Sequence, residues 1–385
     1  MDVVSADIER CFTQFFNRKP FMVRAPGRIN LIGEHTDYND GFVMPAAIDK
    51  ELFFGISPSD DHRTILYSMK YDERFEVDLQ NPKPVKEPRW ANYILGVLFQ
   101  FINNGYSVKP FYCAFGGDVP LGAGMSSSAA MECGFAFALN EVNGLAVPKL
   151  KMIKMAQWAE HNFVGVQCGI MDQFASVMGK EGHVILLDCR SLTHHYFPLN
   201  LQEYGIILCD TKVKHSLVDT EYNTRRQECS SGVNILTRYY PEVKSLRDVS
   251  LTMLEKHKSE LPGKVFNRCL YVVQEIQRVQ QAGRDLEKGD LRAFGKKMYE
   301  THEGLSRLYE VSCQELDFLV KEAGQLNEVL GARMMGGGFG GCTINLVKND
   351  FMEAFIRHQT TAYKKAFSID MLTYRVKVVD GVGRV

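Results

Sequence analysis

The sequence predicts a mixed α+β / α/β protein built from two domains. Three observations carry that expectation. At 385 residues the chain exceeds what one ordinary hydrophobic core organises. Up to about residue 200, short strand-like runs alternate with amphipathic helical stretches, whereas beyond it long helices dominate. Two glycine-rich stretches, one in each half, adjoin regular elements directly. We place the boundary at residue 200, giving domains 1–200 and 201–385.

The chain opens with Val4, Ile8, Cys11, Phe12, Phe15 and Phe16 at helical spacing, which predicts an amphipathic helix. Residues 21–41 combine apolar runs around Pro26-Gly27 with the polar cluster Glu34, His35, Thr36 and Asp37. They predict a strand pair broken by a polar loop. A surface turn needs none of Arg28, Asn30, Glu34, His35 and Asp37 set among such apolar flanks. Polar groups beside buried strands must find partners, and a polyhydroxylated ligand supplies many. Residues 51–57, 63–69 and 74–79 read as a meander of strands. Trp90, Tyr93, Ile94, Val97, Leu98, Phe101 and Ile102 trace one face of a helix.

A strand over 111–115 then delivers the stretch on which the first half centres, residues 117–134. Pro120, Gly122 and Gly124 break regular structure, and a helix is predicted from Ser126 to Ala138. The three serines 126–128 stand where a helix start takes hydroxyl caps. Between Gly122 and Ala130 only Met125 is large, so a bulky ligand can approach the backbone. A loop of this kind opening a helix offers free N–H groups and the positive end of the helix dipole, which suits a phosphate. It lacks the Gly-Lys-Ser/Thr ending of a Walker A loop.

Downstream, a helix from Pro148 to Phe163 carries Glu160, and a short one over 170–178 carries Asp172. Strands are predicted at 183–188, 194–199 and 204–210, then helices at 220–239, 264–282 and 291–309. The second glycine-rich stretch, 331–347, has five glycines within the six positions 336–341 and runs at once into a strand. That demands unusual backbone angles and leaves nothing to obstruct a neighbour. A helix over 350–367 and a strand over 372–379 complete the chain.

Composition excludes several classes. With 45 basic against 46 acidic residues the net charge is −1, which favours neither nucleic acid nor a membrane surface. The ten cysteines contain no Cys-x-x-Cys pair and read as reduced, mostly buried thiols of a cytoplasmic protein. The ten histidines show no zinc-ligand spacing. The acidic N-terminus is no signal peptide, and no apolar run reaches the length of a membrane span.

Three separated motifs together resemble the GHMP small-molecule kinases, a family that includes galactokinase, homoserine kinase, mevalonate kinase and phosphomevalonate kinase. Residues 120–130, Pro-Leu-Gly-Ala-Gly-Met-Ser-Ser-Ser-Ala-Ala, match the family's nucleotide loop, and Gly336 to Gly341 match its third motif. The first motif, residues 27–38, Gly-Arg-Ile-Asn-Leu-Ile-Gly-Glu-His-Thr-Asp-Tyr, resembles the galactokinase branch specifically. The resemblance spans essentially the whole chain; Met125 stands where the family often carries Leu.

The resemblance implies a two-domain GHMP-kinase fold with the active site in the interdomain cleft. It implies ATP and galactose as substrates, with Mg²⁺ as cofactor. Asp172 would be the catalytic base and Arg28 its partner. Glu34, His35, Thr36, Asp37, Gly169 and Tyr222 would bind the sugar. Ser68 and Trp90 would lie near the adenosine, and Gly122, Ala123, Gly124, Met125, Ser126, Ser127 and Ser128 would wrap the phosphates. Ser128 and Glu160 would hold the magnesium ion. The implied reaction is phosphorylation of galactose at its C1 hydroxyl by a cytoplasmic monomer.

Elementary chemistry agrees with these roles. Phosphoryl transfer needs mainly positioning and charge stabilisation, and a hard magnesium ion takes oxygen ligands. A kinase for N-acetylgalactosamine or another hexose is an alternative, as is a galactose sensor without activity. Sensors in the family lose the Ser-Ala pair that ends the nucleotide loop, whereas Ser128-Ala129 is intact here. A related ATP-dependent decarboxylase is disfavoured, because the 34–37 cluster suits a hexose better than a diphosphate.

Overall fold

Helix α1 (Val3–Phe16) packs the apolar stripe read from its sequence onto one face of a sheet. The structure, a computed structural model, describes residues 3–214 and 218–385. That first sheet contains β1 (Phe21–Asn30), β3 (Pro45–Pro58), β4 (Ile65–Ser68), β5 (Glu73–Glu76), β6 (Phe111–Gly117) and β13 (Gly383–Arg384), in the order β13-β1-β3-β6-β4-β5. Strand alternation divides its side chains between two faces. Phe53 of β3 meets Ile8 of α1, whereas Phe54 enters the main core with helices α2 (Ala91–Asn103) and α3 (Ser127–Asn143).

Helices α4 (Lys149–Ala159) and α5 (Met171–Met178) pack on α3. A small sheet of β2 (Phe42–Val43), β7 (His183–Asp188) and β8 (His194–Pro198) follows.

The second half places β9 (Tyr204–Lys214), β10 (Val329–Met334), β11 (Gly340–Lys348) and β12 (Leu372–Val376) in one antiparallel sheet, ordered β10-β11-β9-β12. Here too alternation explains the packing. Ile207 and Cys209 face helices α10 (Gln314–Ala323) and α11 (Met352–Phe367), while Ile206 and Leu208 join the same core as the first sheet. Helices α6 (Val218–Leu236), α7 (Leu251–Lys256), α8 (Gly263–Glu287) and α9 (Leu291–Arg307) lie between; Val279, Ala282, Phe294 and Met298 enter that shared core.

One expectation is corrected. The segment 201–385 does not stay in one unit, because its end returns to the first sheet: Val23 of β1 pairs with Arg384, and Val382 N–H donates to the Ser176 carbonyl at 2.8 Å. The pattern change near residue 200 marks where the chain passes from β8 to β9 and carries no sign of this return. Pro26-Gly27 forms an irregularity within β1, where its register with β3 shifts between Pro26 and Arg28. Such a bulge tolerates a proline that a regular ladder would not.

The bulge brings the glycine loop 117–134 to the motif at residues 27–38. A Cβ on Gly27 would stand 2.7 Å from the Met125 carbonyl oxygen, and Arg28 N–H donates to that same oxygen at 3.1 Å.

Candidate active site

Eight of the residues singled out along the chain converge on one cavity of about 160 Å³. Arg28, Glu34, His35, Asp37, Glu160, Gly169, Asp172 and Tyr222 line it, together with Val166, Cys168, Met171, Gly336 and Gly337.

Asp172, on the first turn of α5, is held on both carboxylate oxygens. Arg28 Nε donates to its Oδ1 at 2.8 Å, and Ser126 Oγ donates to its Oδ2 at 2.5 Å. Arg28 is itself buried and also donates to the Gly124 carbonyl of the nucleotide loop. Burial works to lower the Arg28 pKa, but the nearby charges of Asp172 and Glu34 more than offset it, so its pKa is raised and the guanidinium stays cationic.

The nucleotide loop departs from the serine-capped start. Ser126 is the N-cap residue of α3 but adopts a left-handed backbone, φ 57°, without a side-chain cap bond, because its hydroxyl is spent on Asp172. The first intrahelical bond runs from Ala130 N–H to the Ser126 carbonyl. The preceding N–H groups of the first turn therefore have no intrahelical partner, which is the arrangement a phosphate takes. The turns at Gly122 and Gly124, φ 75° and 76°, aim this loop.

Asp37 and Gly169 form a matched pair. A Cβ on Gly169 would stand 1.7 Å from Asp37 Oδ2, so only glycine lets that carboxyl group occupy its place. Burial first, and then the Asp172 charge, push the Asp37 pKa up to about 7. Burial holds His35 neutral, its pKa lowered to about 3. The His35 Nδ1 bonds the Tyr38 hydroxyl at 2.7 Å, while the buried Nε2 has no hydrogen-bond partner among the described residues. Tyr222, on α6, packs its ring 5.5 Å from that of His35.

Glu160 ends α4 and begins a π-helical turn, Glu160–Val164, instead of continuing the expected straight helix to Phe163. π-turns often mark functional positions. Gln173 Nε2 donates to Glu160 Oε2 at 2.7 Å, Cys168 Sγ donates to the same oxygen at 3.4 Å, and the Ser128 hydroxyl also bonds this carboxylate. Burial, with the Asp172 charge beside it, pushes the Glu160 pKa up to about 7. Ser128 and Glu160 thus bring two hard oxygen donors together beside the phosphate loop, a set that fits magnesium completed by phosphate oxygens and water.

Three further residues lie outside the cavity lining. Thr36 is buried but does not line the cavity: its hydroxyl donates to the carbonyls of Gly33 (2.9 Å) and Phe42 (2.6 Å), so it braces the 34–37 loop from behind. Ser68 pairs with Phe115 across β4 and β6, and its buried hydroxyl has no partner among the described residues. Trp90 stacks edge-on against Phe115 at 5.3 Å and gives its indole N–H to Glu73 at 2.8 Å. These last two adjoin the strand that feeds the nucleotide loop, away from the cavity itself.

Sequence reasoning missed Gln173, Glu132 and Arg333. Gln173 Nε2 also reaches the fully buried Glu132 at 3.2 Å. The signal for Arg333 was present, an arginine in an apolar strand beside the third glycine motif.

Comparison with known proteins agrees with this geometry. The galactokinase galactose-binding signature matches residues 10–58, the GHMP kinases N terminal domain residues 92–180, and the GHMP kinases C terminal domain residues 284–362. The chain is 43% identical over 363 residues to the galactokinase of Thermotoga maritima, covering 94% of this chain and 99% of that one. It is 40% identical over 384 residues to the galactokinase of Roseiflexus sp., covering 99% and 97%. Its fold superposes on the Lactococcus lactis galactokinase complexed with galactose with a TM-score of 0.93 at 30% identity, covering 99% of both chains. The mevalonate kinase of Methanococcus jannaschii shares the fold at a TM-score of 0.65 and 15% identity, covering 94% of this chain and 99% of that one. The chain belongs to the galactokinase family, sugar-phosphorylating members of the GHMP kinases.

Proposed function

We propose that this chain transfers the γ-phosphoryl group of ATP to the C1 hydroxyl of α-D-galactose, forming galactose 1-phosphate and ADP for galactose catabolism. The observation that carries this is Asp172, held on one oxygen by Arg28 and on the other by Ser126 where the cavity meets the nucleotide loop.

Glu34, His35, Asp37, Gly169 and Tyr222 hold the sugar with its anomeric hydroxyl toward Asp172. The carboxylate accepts the hydroxyl proton as the new O–P bond forms and the bond from the γ-phosphorus to the β–γ bridging oxygen breaks. ADP leaves with that electron pair. The open first turn of α3 and the fixed Arg28 charge stabilise the anionic group in transit. Ser128 and Glu160 would hold magnesium, which when bound neutralises charge on the β- and γ-phosphates. Ten free thiols support a protein working in the reducing cytoplasm.

The substrate assignment is tested by ADP release with galactose, N-acetylgalactosamine, glucose and mevalonate, where galactose should be strongly preferred. Equal or better turnover of another member overturns it.

Two variants probe the parts separately. Gly169→Ala forces the Asp37 carboxyl group out of place, so it should raise the galactose KM by about tenfold or more, the worth of a lost charged hydrogen bond, and leave the ATP KM alone. An unchanged galactose KM would remove this pair from the sugar site. Ser128→Ala and Glu160→Gln should each raise the magnesium concentration that gives half-maximal rate. Wild-type titrations in both would reduce Glu160 to a structural partner of Gln173.

A further inference from the structure

The glutamate of the sugar motif is gripped from the far end of the chain. Arg333, on β10, is fully buried and lies 299 positions from Glu34 in sequence. Its Nη2 donates to Glu34 Oε1 at 3.0 Å and also to the Asn30 carbonyl. Its Nε donates to the Leu31 carbonyl at 2.8 Å, and Nη1 to the carbonyl of Met334. One guanidinium thereby clamps both the end of β1 and the carboxylate just beyond it. Gly336 N–H donates to the same Oε1 at 2.7 Å, and Asn30 Nδ2 donates to Oε2.

Glu34 is 1% exposed, and a carboxylate so buried stays ionised only where cations and donors offset its lost hydration. The groups facing it are Arg28 and Asn30 from β1, Asp37 from the loop that follows, Tyr271 from α8, and Arg333 and Gly336 from β10 and its glycine loop. Arg28 is bonded to Asp172 and Gly124, so Arg333 is the cation in contact with Glu34 among the described residues. Burial pushes the Glu34 pKa up, and Arg333 is the largest influence against it. Arg333 itself does not line the cavity, whereas Glu34 does.

We propose that Arg333 is a positioning residue for sugar recognition, holding Glu34 as a fixed, ionised hydrogen-bond acceptor in the cavity wall. This rests on Glu34 meeting a sugar hydroxyl. An ionised carboxylate can only accept, and once protonated it presents a donor on one oxygen instead. Without Arg333, Glu34 takes up a proton at higher pH, and a hydroxyl that donates to it loses its partner.

The test is calorimetric binding of galactose, without ATP, across pH, to the full chain carrying Arg333→Met, Arg333→Lys, Glu34→Gln or Arg333→Met with Glu34→Gln. Arg333→Met should weaken galactose by about tenfold or more near neutral pH, the worth of a charged hydrogen bond, while ATP affinity persists. The deficit should shrink as pH rises and Glu34 regains its charge. Arg333→Lys, which keeps the charge but not the fork, should recover part of the affinity. In the Glu34→Gln background, Arg333→Met should add no further loss. That double variant leaves no unpaired buried charge, so it keeps the test available where Arg333→Met alone fails to fold. A loss that is independent of pH and matched by ATP, or one that persists undiminished in the Glu34→Gln background, overturns the proposal in favour of a merely structural arginine. Unchanged galactose affinity in Glu34→Gln overturns the Glu34 contact itself, and Arg333's role with it. Loss in Glu34→Gln but not in Arg333→Met removes Arg333 alone.

Discussion

Asp172→Asn should lower kcat for galactose phosphorylation by about 10²–10⁴-fold, the usual worth of a positioned base. The amide preserves size and can still bond Ser126, but it cannot take the proton from the C1 hydroxyl. Galactose and ATP should therefore still bind, while the melting temperature should fall somewhat because the buried Arg28 loses its carboxylate partner. Single-turnover kinetics with both substrates saturating isolate the chemical step. A wild-type rate in this variant would mean that transfer proceeds directly, with Asp172 only aligning the hydroxyl.

Arg28→Ala should be nearly as damaging for a different reason. A guanidinium cannot act as a base at neutral pH, so its value is electrostatic. It bonds Asp172 on one side and the Gly124 carbonyl of the nucleotide loop on the other, and it is 4% exposed. Removing it frees both groups and takes a positive charge from beside the moving phosphoryl group. A loss of about 10²–10³-fold in kcat is expected, as for other fixed donors to developing charge. Arg28→Lys keeps the charge without the planar fork that spans two acceptors, so it should retain part of the rate. Equal rates in Arg28→Lys and the parent would show that only charge matters there; equal rates in Arg28→Ala and the parent would remove Arg28 from the reaction.

Much of this site is legible in the sequence because its parts are local. Glu34, His35 and Asp37 lie within four positions, and the glycines of the nucleotide loop announce a backbone that no ordinary side chain could share. What is not legible is tertiary. Ser126 looks like a helix cap, and the choice of Asp172 over its own helix depends on a partner 46 residues away. Thr36 sits inside the sugar cluster, yet its hydroxyl turns to two backbone carbonyls, because a buried loop must satisfy its own polar groups first. Arg333 carries no local mark of its partner. The return of the last strand to β1 is equally silent, since residues 383–384 are too few to show a periodic pattern.

The measurement that bears most directly on the whole account is the phosphorus NMR spectrum of the product formed from galactose, ATP and magnesium. Transfer to the anomeric oxygen by the Asp172 arrangement predicts a phosphate resonance coupled to the sugar H1 proton, with one ADP formed per phosphorylated sugar. A phosphate coupled to the C6 protons, or ADP formed without any sugar phosphate, would contradict it.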